Sequence, residues 1–218
     1  LSPASFTDTS WTNFAINETD FTDIELNNCR ITQGLMLKCT FNNKDLSHSQ
    51  WTYCTLTDSS FNACDFSSAK LLAVNFSGAN INNCAFVNAE MPQNLFIKAE
   101  LQDVTFDNCN LVESNFSEST ITNGLFQQIT ADKSQYQKTN FIECELQSCG
   151  YAMGDFSTAS FEKSNVENCN FNHVNWHEVT VNKGKWRKNG QHMLRVTEES
   201  RKKAELATKE VLAEQAAA

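Results

Sequence analysis

The chain of 218 residues carries 26 acidic and 17 basic residues, a formal net charge of −9. That balance excludes a broadly nucleic-acid-binding surface, because phosphate recognition draws on Lys and Arg. Prolines (Pro3 and Pro92) and the seven glycines are fewer than a turn-rich β protein ordinarily uses, and no apolar run reaches the ~18 residues of a membrane span.

From Phe6 onward a large apolar residue returns every fifth position: Phe6, Trp11, Ile16, Phe21, Leu26, Ile31, and so on to Val181 and Trp186. The series holds for 37 consecutive positions without an insertion; only Ala131 is small, and Gln191 ends it. Two residues before each large one lies a second register of mostly small residues, which contains all nine cysteines. Phe14, Lys44 and Asn94 are the misfits there. Phe14 is expected to plug the first coil, and Lys44 to distort the wall locally. The other three positions of each five are mainly polar.

Period five fits neither a helix nor a plain strand. It describes a short extended side followed by a corner, and four such sides close a coil of 20 residues. Coils stack at the ~4.8 Å strand spacing, so the core exists only between neighbours. The first side is centred on Phe6, Leu26 and Leu46, the second on Trp11 and Ile31, the third on Ile16 and Met36, the fourth on Phe21 and Phe41. The fold predicted is an all-β solenoid of about nine coils over residues 1–188.

Ala79-Asn80-Ile81, Cys64-Asp65-Phe66, Ala99-Glu100-Leu101 and Cys109-Asn110-Leu111 carry a small residue, a polar or acidic one, then a large apolar one. This pattern resembles the pentapeptide-repeat proteins, and the resemblance runs from residue 4 to about 188. It implies a right-handed quadrilateral β-helix. It also implies two roles found in that family: an interaction module, or a DNA mimic that binds DNA gyrase or topoisomerase IV and confers fluoroquinolone resistance.

Past Trp186, Asn189-Gly190 reads as a turn. Residues 189–218 then form a predicted helical tail rich in Ala, Glu, Lys and Arg, with i,i+4 pairs such as Glu198–Lys202. Met193, Leu194, Val196, Ala204, Ala207 and Val211 are its apolar face, expected to cap the open end of the coil or to join a homodimer.

Charge is segregated. Residues 1–180 hold 21 acids and 8 bases. The first side carries Asp8, Glu25, Asp45, Asp65, Asp107, Glu145 and Glu167 with no outward base. The fourth carries Asp20, Asp23, Glu100, Asp103, Glu143 and Glu162 against Lys163 alone. Glu25, Asp45 and Asp65 occupy equivalent places in successive coils, where like charges repel. These acids are the candidate partner-binding stripe.

No catalytic, metal or phosphate-loop motif occurs. The cysteines share a slot used equally by Ala and Ser, so free, buried thiols in a reducing, cytoplasmic setting are expected. His48, His173, His177 and His192 all lie outside the inward registers. The expectation is a non-enzymatic rod with no cofactor, no metal, no direct nucleic acid and no membrane. It would bind a protein partner with a basic surface, as a bacterial scaffold or within a larger, secretion-associated protein.

Overall fold

The computed structural model describes residues 4–191. Every coil pairs with the next in parallel at an offset of 20 residues. On the fourth side eight strands run from Thr40–Asn42 to Thr180–Asn182. On the first, six run from Ala85–Val87 to Trp186–Arg187. The second side opens with four strands, Ser10–Thr12 to Lys70–Leu72, and continues as single-residue bridges. The third pairs Ala15–Asn17 with Leu35–Leu37, then runs as bridges through Thr55, Asn75, Leu95, Asn115 and Gln135. The β-solenoid is therefore all-parallel, with about nine coils and sides as the modulo-20 assignment predicts.

The large residues fill the interior as four columns. From Phe21 to Phe171 every one is buried, and successive rings stack face to face, as in Phe21–Phe41–Phe61 at 4.8 and 4.7 Å. Phe6, Trp11, Ile16, Trp176, Val181 and Trp186 retain exposure because end coils have a neighbour on one side only. The small register does more than save space. Cys54, Cys144 and Cys149 each donate a thiol hydrogen to the carbonyl of a large residue one coil below, Ile31, Ile121 and Phe126. Ser114, Ser134 and Thr139 do the same with hydroxyls. Cys, Ser and Thr interchange here because each both fits the wall and satisfies a buried carbonyl. All nine cysteines are buried and free. Burial pushes the Cys109 thiol up to about 12 and Cys144 to about 11, which withholds the reactive thiolate.

Corners form two residues after each large one. Thirty-five non-glycine residues there adopt φ of 50–62°, joined by Gly78; Asp23 is the exception. The left-handed region costs an L-residue roughly 1–2 kcal/mol, so the corners are held by the ladders around them rather than by glycine.

The misfits each find a specific place. The Phe14 ring lies over Gly34 of the next coil, where an added Cβ would come within 2.7 Å of it. Asn94 accepts the Val74 N–H at 2.6 Å. Lys44 donates its ammonium to the carbonyls of Thr22 (2.6 Å) and Ile24 (3.0 Å). The ladder also continues past residue 188: Asn189 accepts the Cys169 N–H and donates to Val166 O, and Gly190 bridges to Asn170. Met193, Leu194, Val196, Ala204, Ala207 and Val211 lie outside the described residues.

Candidate partner-binding faces

The acidic candidates do share two adjacent sides, and the ladders fix how they are spaced. On the first side one outward ladder reads Asp45, Asp65, then Ala85, Thr105 and Leu125, then Glu145. Glu25 pairs with Ser5 below it, and the ladder is interrupted between Glu25 and Asp45, where Lys44 bonds the Thr22 and Ile24 carbonyls and distorts the wall as expected. The next reads Val87, Asp107, Gln127, Gln147, Glu167. On the fourth side Asp20 bridges to Thr40, Glu100 lies between Asn80 and Thr120, and Glu162 between Ile142 and Asn182. Asp23, Asp103 and Glu143 stand at its corner. Acids are thus interleaved with amides and hydroxyls, and several bind them: Asn123 donates to Asp103, Asn165 to Glu145 at 2.6 Å, and Asn28 to Asp8.

Asp45 and Asp65 are direct bridge partners, yet their carboxylates are turned to local work. Asp20, Asp45 and Asp65 each accept the N–H two residues on, from Thr22, Ser47 and Ser67. Asn75, Asn110, Asn115, Asp155 and Asn170 do likewise. All sit at a single-residue bridge entering a tight turn, where an Asx side chain mimics a backbone turn. The Thr22 hydroxyl and N–H hold the Asp20 carboxyl below its ordinary value. The ladder repulsion expected from sequence is therefore offset by these backbone bonds.

Two sources of positive charge modify the stripe. The Lys44 ammonium bonds the Thr22 and Ile24 carbonyls of the coil below, and its charge adds to the lowering of the Asp20 carboxyl. At the opposite end Lys185, Arg187 and Lys188 continue the first side, Lys185 above Asn165 and Glu145 and Arg187 directly above Glu167. Arg187 is the ladder partner of Glu167, and Lys188 pairs with it at 3.7 Å. A shallow groove there is lined by Glu145, Gln147, Asn165, Glu167, Lys185 and Arg187. The assignment of charge to sides stops at residue 180; carried further along the same columns it puts these bases on the first side. Lys163, the fourth side's base, pairs with Glu143 at 2.8 Å.

Among the described residues no three His, Cys, Asp or Glu side chains converge as a metal site, and no helix is long and apolar enough to cross a membrane. His173 and His177 lie on adjacent sides across a corner, with His177 beside Glu178 at 3.8 Å.

A stacked coil of five-residue sides with one large and one small inward residue defines a class of repeat solenoid. Residues 59–136 match the family model described as pentapeptide repeat region, and the described coils on both sides of that segment keep its register. No curated protein matches the chain in sequence. Among solved structures it is similar to HetL, a pentapeptide-repeat protein involved in heterocyst differentiation regulation in the cyanobacterium Nostoc sp. strain PCC 7120. The identity is 12%, over 86% of this chain and 87% of that one, with a TM-score of 0.42. Full-length QnrB1, a plasmid-mediated fluoroquinolone resistance protein, is 15% identical over 93% and 99% of the two chains, with a TM-score of 0.37. A pentapeptide-repeat protein of the Arabidopsis thaliana thylakoid lumen is 14% identical over 57% and 67%, at 0.31.

Proposed function

We propose that the protein is a non-enzymatic interaction module whose first and fourth sides engage a basic surface of a protein partner. The observation that carries this reading is the segregation of charge: thirteen acids against the single outward base Lys163 on two adjacent sides before residue 180. Asx turns explain why individual Asp residues are tolerated. They do not explain why the bases avoid these two sides: Arg30, Lys38, Lys70, Lys98, Lys133 and Lys138 all lie on the other two. Complementary charge speeds encounter and fixes register, and a rigid solenoid displays it without ordering cost.

The test uses the E25Q/D45N/D65N chain, whose two Asn side chains can keep the Asx bonds as Asn75 does. Immobilised wild-type and variant chains are exposed to a bacterial lysate at low and high salt. A partner retained by the wild type at low salt, and weakly by the variant, supports the reading. Equal, salt-independent retention by both overturns it.

A DNA-mimicking inhibitor or protector of gyrase or topoisomerase IV is the second reading, favoured by the same acidic rod. Nine coils span roughly 43 Å at the strand spacing. The net charge of −13 over residues 1–180 is then roughly one per 3.3 Å, against about one per 1.7 Å in DNA. Columns broken by Ala85, Thr105 and Leu125, and ending in bases, lower the match further. Gyrase supercoiling assayed with the purified chain decides it: inhibition, or protection against a fluoroquinolone, would promote this reading to first place.

A further inference from the structure

We infer that the third side is a self-association surface on which a second copy of this chain packs antiparallel, about a two-fold axis lying between the coils of Thr55 and Asn75. This goes beyond the acidic-stripe reading and stands independently of it, since the third side lies across the coil from the first.

The third side differs from the rest in charge. Its outward positions, two per coil, contain no charged residue over seven successive coils, from Ala15 to Gln137; Asp155 is the first. Most bases at the flanking corners stand in neutral stacked pairs: Lys38 with Glu18, Lys98 with Glu118, and Lys133 with Glu113, at 3.6–3.7 Å; Asp58 and Lys138 are the further charges there. Two copies of a chain of net charge −9 repel wherever their acidic sides meet. The third side is where one copy can approach another without that repulsion.

The apolar residues of this side are also self-complementary. Leu35 and Leu37 form one apolar row and Leu95 and Ile97 another, three coil steps further along. Leu35, Thr55, Asn75 and Leu95 belong to one unbroken ladder. A two-fold axis across the ladder midway between Thr55 and Asn75 carries the first row onto the second, so Leu35 of each copy faces Leu95 of the other. The same operation sets the apolar corner between the second and third sides, Tyr53 and Leu72, against its own equivalent. Leu35 is 40% exposed, Tyr53 60% and Leu72 36%, among the most exposed large apolar side chains of the described residues. A parallel pairing would instead leave Tyr53 and Leu72 opposite the Lys38–Asp58 corner. At the rim of the antiparallel contact Lys38 lies opposite the other copy's Lys98 and Glu18 opposite its Glu118, and these like charges are offset by the Lys38–Glu18 and Lys98–Glu118 pairs within each copy. Polar groups inside the contact bring much of their own bonding: Asn75 accepts the Ser77 N–H, Asn115 the Ser117 N–H, and the Ser117 hydroxyl meets Gln137. Burying them costs less than burying unpaired amides. Isologous two-fold contacts of this kind are the commonest in homo-oligomers.

The experiment measures the mass of the full chain in solution by sedimentation equilibrium from low to high micromolar concentration. The wild type is expected to be dimeric in the upper range. L35D/L95D places two acids in a column that already accommodates Asp155, so its circular dichroism and melting should match the wild type while its dissociation constant rises roughly tenfold or more. L35K/L95D should restore the dimer, because each Lys then faces the partner's Asp. A monomeric wild type overturns the proposal and leaves the face for a different protein. A dimeric L35D/L95D chain also overturns it and moves the interface elsewhere, the tail of residues 189–218 included. Failure of the charge swap overturns the antiparallel register.

Discussion

Tyr136 stands in an interior column between Phe116 and Phe156, its ring 5.2 and 4.5 Å from theirs. Its hydroxyl is buried without a hydrogen-bond partner, and burial drives its acidity well away from the ordinary range. An orphaned buried hydroxyl costs roughly 1–3 kcal/mol. Tyr136→Phe removes the polar atom and keeps the ring, so we expect it to stabilise the protein by about 1 kcal/mol, read as a higher urea midpoint with an unchanged slope. Asp155 makes the opposite case. Burial raises its carboxyl, but bonds from Ser157, Asn175 and Gln137 outweigh that and hold it below its ordinary value. A folded value below the unfolded one contributes stability that is complete above the unfolded value and is lost as pH falls through the folded one. Melting of the wild type should therefore drop more steeply than that of Asp155→Asn between about pH 5 and about pH 2. Parallel curves would show that the carboxylate's bonds carry no linkage.

At the scale of one side, sequence and structure meet most closely in the small register. Phe14 alone looks like an error in the repeat; read down its column it lies over Gly34, whose missing Cβ makes room for the ring. Gly34→Ala should destabilise the first coils by about 1–3 kcal/mol through overpacking, and Phe14→Ala in the same chain should recover most of that loss. Additive losses in the double variant would sink the pairing. The side also sets the limits of what was legible. Large and small registers follow from hydrophobic period, which any single coil displays. The bonds of Lys44 to two carbonyls do not, because whether a lysine in a small slot bends outward or caps a gap depends on the backbone beneath it. Nor did the Asx turns, since an Asp before a large residue reads alike as surface charge and as a turn device.

The whole molecule was legible as a stack because no insertion interrupts 37 repeats, so position modulo 20 alone assigns each residue to a side. What escaped were the ends. The bases Lys185, Arg187 and Lys188 lie beyond the residues whose charge was assigned to sides although the first side runs through them, and Asn189, which reads as a turn, occupies a small-register slot. End coils lack the second neighbour that makes inward and outward residues differ most, and there the periodic signal fades. The stack itself predicts the outcome of shortening it. Deleting residues 96–115 removes one whole coil and rejoins equivalent places. The shortened chain should fold with its acids on the same sides, and circular dichroism should show the same spectrum per residue. Unfolded protein from this deletion would contradict a uniform stack.

The fixed offset of 20 residues has a consequence for how such a gene can change. Loss or gain of 60 nucleotides lengthens or shortens the product and leaves its faces aligned, while loss of 15 keeps every inward residue inward but turns all that follows by a quarter revolution. The acids beyond such a scar, Glu143, Glu145, Glu162 and Glu167 among them, would come to lie beside a different set from the first coils. A lineage of these chains can therefore explore new surface combinations by slippage between repeats alone, without altering one buried side chain.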